Sequence, residues 1–278
     1  VCSSDLTKLN IIDRILRATG KDMRSKRIDL VENYIINHKT VSIDKLCEVF
    51  DVSKNTIRRD LSVLVEKGTI KKVYGGVTVN ENQELVSFEE RNVKNSNSKL
   101  ALGKAAAEFI EDGDSIFLDS GTTTVNIIDF LKDKKDITIF TNSVTAICKG
   151  IHYNNLNIIC LSGILNRKTQ SFTGLHSTDI LKSYNINKCF MACTGISLKR
   201  GVTNSTKEEF KIKKTAISRS AECFLLADQS KFDHVSLMTF CEINDLNCVI
   251  TDAKPSDEYI EYFNDNNVDL KICEKVIY

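Results

Sequence analysis

Histidine is scarce in this chain, with four in 278 residues, and no Cys-x-x-Cys pair occurs. The spacing that a zinc site needs is therefore missing, and neither a metal nor a cofactor is expected. No run of 18 apolar residues exists, which excludes a membrane-spanning helix. The N-terminus is polar and lacks an apolar stretch, so no secretory signal is read there. On these grounds the ten cysteines read as reduced thiols of a cytoplasmic protein. Cys47, Cys148, Cys160, Cys189, Cys223, Cys241 and Cys248 sit inside apolar patterns, where free cysteine acts as a small hydrophobe. A large net charge is absent too: the sum is +1. That balance hides a division. Residues 23–79 carry 11 Lys and Arg against 7 Asp and Glu, whereas residues 80–278 carry 23 against 27. A basic head of this kind is drawn to phosphate backbone in a salt-dependent way. The apolar content of 42% supports one small domain and one larger one.

Residues 1–22 are set apart. Val1-Cys2-Ser3-Ser4-Asp5-Leu6 matches the translation of a common sequencing-adapter end, and residues 7–22 read as translated upstream sequence before a start at Met23. An amphipathic helix through Leu9, Ile12, Ile15 and Leu16 is the alternative.

What is present is a helix-turn-helix pattern. Ile28, Val31, Tyr34 and Ile35 follow helical spacing, predicting a first helix over about 24–37, and His38 to Val41 read as a short break. Ser42 caps a second helix with Leu46, Val49 and Phe50 on its apolar face, and Asp51-Val52 makes a tight turn. Ser53 then caps a third helix whose stripe is Ile57, Leu61 and Leu64. Asn55, Thr56, Arg58 and Arg59 lie off that stripe near the helix start, where a recognition helix presents side chains to base edges and phosphates. Lys67-Gly68 ends the helix. Two β-prone runs around Gly75-Gly76 make a small wing, with Lys71 and Lys72 as phosphate contacts.

The run from Arg24 to Val79, with Thr56-Ile57-Arg58-Arg59-Asp60-Leu61 and Tyr74-Gly75-Gly76-Val77, resembles the DNA-binding domain of the DeoR family of bacterial transcriptional regulators. A common variant has His where this chain has Tyr74, a mild departure in the wing. The resemblance implies a winged helix-turn-helix over 23–79 that binds double-stranded operator DNA through Ser53, Asn55, Thr56, Arg58, Arg59, Lys71, Lys72 and Tyr74.

Residues 80–98 are polar and mixed and read as a linker. Beyond them, strand-like runs at Ser115–Leu118, 137–140, 156–161, 188–193, 222–227, 248–250 and 268–272 alternate with helical stretches at 99–111, 123–132, 143–151, 175–184 and 207–219. Such alternation predicts an α/β domain over 99–278 built on a mostly parallel sheet, which binds ligands at the carboxyl ends of its strands. Polar loops fall at those ends. Asp119-Ser120-Gly121-Thr122-Thr123-Thr124 follows the first strand, Thr141-Asn142-Ser143 the second and Ser162-Gly163 the third. Gly195-Ile196-Ser197 follows the fourth, and Asp228 to Phe232 the fifth. Hydroxyls and free backbone N–H groups there suit an anion.

Leu118–Thr124, the Asn142 and Gly195 loops, Gly201-Val202-Thr203, Glu208-Glu209, Lys213 and Ala227–Phe232 resemble the DeoR-type sensor domain. That domain is similar in fold to ribose-5-phosphate isomerase and CoA transferases. The resemblance implies a repressor of sugar use, released by a phosphorylated sugar. Gly121, Thr122, Thr123 and Thr124 would hold phosphate, and Lys231 or Lys213 would supply charge. Asp119, Asn142 and Glu208 would meet sugar hydroxyls, with Ser120, Ser143, Gly163 and Gly195 completing the site. Two departures concern the sugar end. Ile164 stands where many members carry a second glycine, and Thr194 where many carry aspartate. Without that carboxylate a sugar-phosphate isomerase lacks a positioned base, so an enzyme is the least favoured reading. A regulator of another anion or of a protein partner is the other alternative. One recognition helix reads only a half-site, so a homo-oligomer is expected.

Overall fold

The computed structural model describes residues 27–273, apart from 29, 33, 37, 67, 68 and 80–85. The readings made for residues 1–22, Arg24 and Lys67-Gly68 lie outside the described residues. The chain divides into two units, one ending at Glu84 and the other beginning at Leu85.

In the first unit, helix α1 runs within 27–38. Strand β1 (Thr40–Ser42), helices α2 (Ile43–Phe50) and α3 (Lys54–Glu66), and strands β2 (Ile70–Val73) and β3 (Gly76–Val79) follow. The expected stripes form its core: Val31 and Ile35, Leu46 and Phe50, and Ile57, Leu61 and Leu64 are buried together. Both capping serines act as expected. The Lys45 N–H donates to Ser42 Oγ at 3.1 Å, and the Thr56 N–H to Ser53 Oγ at 3.3 Å. Asp51 takes a left-handed conformation at the turn.

The break read at His38–Val41 is corrected: Thr40–Ser42 is a third wing strand, paired antiparallel with β3. Its β-branched Thr40 and Val41 suit a pleat, and Val41 turns into the core. Three residues are too few to show a period. The strand also accounts for Gly76, where a Cβ would strike the Val41 carbonyl. Gly75, by contrast, has φ +76 in the wing turn, a conformation glycine adopts without steric cost.

Asp60 of the helix α3 signature faces inward. It is 1% exposed and accepts from Arg27 at 2.7 Å and 3.3 Å, a two-bond pair that fastens α3 to α1. Asp60→Ala is expected to lower the stability of this unit by about 1–3 kcal/mol. Urea unfolding followed by circular dichroism measures it, and an unchanged midpoint would make the pair a bystander.

The second unit is built on a seven-stranded sheet, all of whose pairings are parallel. Its strands are β4 (Ser115–Leu118), β5 (Ile137–Thr141), β6 (Leu156–Cys160), β9 (Ile186–Ala192), β12 (Ser220–Leu226), β14 (Cys248–Thr251) and β15 (Asp269–Ile272), in the order β15-β14-β12-β9-β4-β5-β6. Side chains alternate between two cores. Ile116, Leu118, Phe190, Phe224 and Leu226 face one; Phe117, Cys189, Met191, Cys223 and Leu225 face the other. The first is covered by helix α5 (Ser96–Ala107) and a 3-10 helix (Thr124–Phe130). The second is covered by α7 (Leu175–Lys182), α8 (Lys207–Arg219) and α9 (Asp257–Asp265). Helix α6 (Val144–Gly150), the hairpin β7 (Ile164–Asn166) and β8 (Ser171–Thr173), and a small sheet of β10 (Gly195–Ser197), β11 (Gly201–Asn204) and β13 (Met238–Cys241) complete the unit.

Several expectations need correction. The segment 86–98 is not a plain linker: it holds helix α4 (Phe88–Val93) and the first turn of α5. Ser87 caps α4 through the Glu90 N–H at 3.2 Å, and Phe88 is buried. Ser87-Phe88-Glu89-Glu90 carried a capping signature that was legible. The helix expected over 123–132 is a 3-10 helix. Its threonines, Val125 and two isoleucines disfavour an α-helix, and Asn126 donates to the Thr122 and Thr123 carbonyls. Cys148 and Cys160 are exposed rather than core residues, while Cys189, Cys223, Cys241 and Cys248 are buried as read. Among the described residues, no helix is long and apolar enough to cross a membrane, and no group of His, Cys, Asp or Glu could hold a metal ion.

Candidate functional site

The third helix displays its polar face as the sequence predicts. Asn55, Arg58 and Arg59 are exposed, opposite the buried Ile57 and Leu61. Ser53 and Thr56 are less free, because their hydroxyls hydrogen-bond each other at 3.0 Å in the cap. Arg59, Thr56, Arg27 and Asp60 line a shallow cleft. On the wing, Lys71 and Lys72 are exposed, and Tyr74 stands fully in solvent.

In the second unit the strand order reverses between β4 and β9. The chain passes outward through β5 and β6, then returns to build β9, β12, β14 and β15 on the other side. Such a reversal opens a crevice at the carboxyl ends of the strands. Asp119 spans it. This buried carboxylate, just past β4, accepts the Ala192 N–H at the end of β9 at 3.1 Å and pairs with the Lys213 ammonium from α8. Lys213 also donates to the Ala192 carbonyl at 2.9 Å and lies over the Phe240 ring at 5.1 Å. The Lys213 charge is thus already matched by the Asp119 carboxylate. Gly121 is explained by the same crossing, since a Cβ there would overlap the Ala192 methyl. Gly121→Ala should therefore cost about 1–3 kcal/mol of sensor stability. A thermal melt that matched the parent would show that the two loops have room to part.

The threonine loop divides by role. Thr124 is fully buried and donates to the Asp119 and Gly121 carbonyls at 2.7 Å and 3.0 Å, a brace for the loop itself. Thr122 and Thr123, both buried, make no hydroxyl hydrogen bond to described residues. At the end of β5, Asn142 donates to the Phe172 carbonyl at 3.0 Å, and its Oδ1 is buried without a partner. Ser143 caps α6, accepting the Ala146 N–H at 3.2 Å.

Glu209, missed by sequence reasoning, is gathered into the site instead of Glu208. It accepts from Ser120 at 3.4 Å, Ser171 at 3.3 Å and Thr206 at 3.1 Å, whereas Glu208 is exposed. The cause is local: Thr206 caps α8 by accepting the Glu209 N–H, which turns the third helical residue inward. Asn204 Oδ1, at the end of β11, is another buried acceptor without a partner. Its amide donates to the Thr206 carbonyl at 2.8 Å. Gly163 is exposed beside the β7–β8 hairpin, and Gly195 is pressed against the His234 carbonyl. Of the two departures, Ile164 is exposed on β7, and the Thr194 N–H donates to the Thr203 carbonyl at 2.9 Å. Lys231, half-buried after β12, acts electrostatically on Cys193, as do Lys213, Asp228 and Asp119. Burial pushes the Cys193 thiol up to about 12, so it stays protonated.

Comparisons with known proteins agree with this division. Residues 27–83 match the DeoR-like helix-turn-helix domain, and residues 94–253 match the DeoR C terminal sensor domain. The HTH-type transcriptional regulator IolR of Bacillus subtilis is 44% identical over 90% of this chain and 100% of its own length. The Lactose phosphotransferase system repressor of Staphylococcus epidermidis is 30% identical over 81% of this chain and 91% of its own. A solved ribose-5-phosphate isomerase in complex with phospho-erythronic acid is similar over 48% of this chain and 52% of its own, at 20% identity and a TM-score of 0.36.

Proposed function

The chain belongs to the DeoR family of DNA-binding transcriptional regulators, and from that premise we propose that it represses a sugar-use operon and leaves its operator when a phosphorylated sugar binds. It is a regulator and not an enzyme. Its relatives are named regulators and repressors, among them the HTH-type transcriptional repressor GlcR and the Lactose phosphotransferase system repressor. Those names support the direction of control and the sugar class.

One observation carries the effector half: Thr122 and Thr123 are buried residues whose hydroxyls have no partner among the described residues, at the crevice where the strand order reverses. Donors held ready in a partly dry site suit a phosphate. Gly121 contributes main chain to that loop, and Lys231 supplies charge, since Lys213 is held by Asp119. Asn142 Oδ1 suits a sugar hydroxyl as donor, and so does the free edge of the Asp119 carboxylate. Thr124 serves as the brace, and Glu209 takes the part read for Glu208. In the head, Asn55, Arg58 and Arg59 meet the major groove, while Lys71, Lys72 and Tyr74 meet backbone. A homo-oligomer presents two such heads to paired half-sites, and the effector acts by preferring the arrangement that does not fit them.

A thermal-shift series with phosphorylated sugars and their unphosphorylated parents tests the proposal. One phosphorylated sugar should raise the melting temperature and release operator DNA, and its parent should do neither. Equal stabilisation by the parent sugar would remove phosphate from the reading.

A further inference from the structure

The segment between β12 and β13 carries Lys231. Asp228 opens it by accepting the Ser230 N–H at 3.0 Å, which caps a 3-10 turn (Gln229–Lys231). Phe232 then forms a parallel bridge with Ile196 of β10. Asp233 takes φ +57, a left-handed conformation uncommon outside glycine. The His234 carbonyl lies against Gly195, and the Ser236 N–H donates to Thr203 Oγ1 at 2.9 Å. An uncommon backbone conformation persists where the surrounding contacts hold it.

For Asp233 such a contact comes from α9, 26 positions further on. Tyr259 is 1% exposed and belongs to the second core, with its ring edge-on to Phe232 at 5.0 Å and 5.9 Å from that of Phe263. Its hydroxyl accepts the Asp233 N–H at 3.1 Å. The single phenolic proton has two acceptors, the Ile196 carbonyl at 3.0 Å and Asp233 Oδ1 at 3.1 Å. Burial first, and the Asp233 carboxylate next, push the phenol above its ordinary range, so the proton stays on the oxygen. A phenylalanine would fill the same space. The hydroxyl adds a tie between two segments, the loop that carries Lys231 and the strand β10 that follows Cys193. Those segments meet at the crevice, where Lys231 acts on Cys193 together with Lys213 and Asp119.

We propose that Tyr259 is a positioning residue for effector binding: its hydroxyl fixes the loop after β12 on β10 and so holds Lys231 where the phosphate of the effector is received. The proposal rests on the phosphate reading of the crevice, with Lys231 as its cation, and adds the group that keeps that cation in place. A loop without this tie loses binding free energy to its own ordering.

The experiment uses the full chain, inorganic phosphate as the probe, and the variants Tyr259→Phe, Lys231→Met and their double. Tyr259→Phe keeps the ring against Phe232 and removes the hydroxyl alone. Affinities are read by isothermal titration below the lowest melting temperature of the set, so that altered stability does not enter. Lys231→Met should weaken phosphate binding about tenfold, and Tyr259→Phe about three- to tenfold. In the Lys231→Met background, Tyr259→Phe should cost less than about twofold, because the charge it positions is gone. Amide exchange over residues 229–236 should rise in Tyr259→Phe while β9 and β12 stay protected. Wild-type phosphate affinity in Tyr259→Phe overturns the inference and leaves the phosphate reading intact. Equal losses in the two backgrounds overturn it as well, since a tyrosine that only supports the core would not act through Lys231. Undiminished binding by Lys231→Met, or unchanged exchange over 229–236, has the same consequence. A wild type that binds neither phosphate nor any phosphorylated sugar overturns both the inference and the reading beneath it.

Discussion

Thr123→Asp is expected to give a repressor that binds its operator normally and no longer answers its inducer. Thr123 has φ −86 and ψ −49 and precedes the 3-10 helix Thr124–Phe130 as its cap residue. Its backbone is in the αR region and its side chain makes no cap hydrogen bond, so a thermal melt and operator binding check that the variant is folded before its response to inducer is read. The new carboxylate stands where the Thr123 hydroxyl has no partner among the described residues, beside Thr122. A dianionic phosphate would meet a like charge in a partly buried site, and its affinity should fall by about 100-fold or more. Isothermal titration with the inducing sugar phosphate measures this, and operator release in the presence of inducer gives the functional consequence. Normal induction would sink the assignment of this loop. Thr124→Ala provides the contrast. Because Thr124 braces the Asp119 and Gly121 carbonyls, its loss should appear chiefly as about 1–3 kcal/mol of stability.

The second large effect is expected in the other unit. Arg58 is exposed on helix α3, and the packing of that helix rests on Ile57, Leu61 and Leu64. Arg58→Ala should therefore leave the fold unchanged and remove a contact to a base edge or phosphate. A contact of that kind is worth about 1–3 kcal/mol, or roughly 5- to 150-fold in affinity at each half-site. Fluorescence anisotropy with labelled operator at two salt concentrations separates the cases: loss of a phosphate contact lowers the salt slope, and loss of a base contact relaxes sequence preference. Wild-type operator affinity would show that α3 is not the reading helix. Effector binding should be retained, since the sensor is a separate unit with its own cores.

Much of the fold was legible in the chain because its signals are local. The α3 stripe of Ile57, Leu61 and Leu64 repeats at helical spacing, and the Ser42 and Ser53 caps act on residues three further on. The strand β4 at Ser115–Leu118 and the helix α8 at Lys207–Arg219 stand where pattern reading puts them. Short elements escaped. Strand β1 and the hairpin strands β7 and β8 each have three residues, fewer than a period needs. Helix α4 was hidden by its polar composition, although Ser87 and Glu90 marked its start.

Residue types and their spacing therefore determined the two-unit plan, the reading helix and the loops that could form a site. Which residues of those loops stay free was decided only by tertiary contacts. Lys213 and Asp119 are 94 positions apart and cancel each other, so the cation most visible in the sequence has its charge already matched. The turn set by Thr206 brings Glu209 inward and leaves Glu208 outside. Tyr259 looks like one more core aromatic of a helix until the fold sets its hydroxyl between Asp233 and the Ile196 carbonyl. Charge and hydrogen-bonding capacity belong to the side chain, whereas their availability depends on the partner the fold supplies, and that partner is distant in the chain.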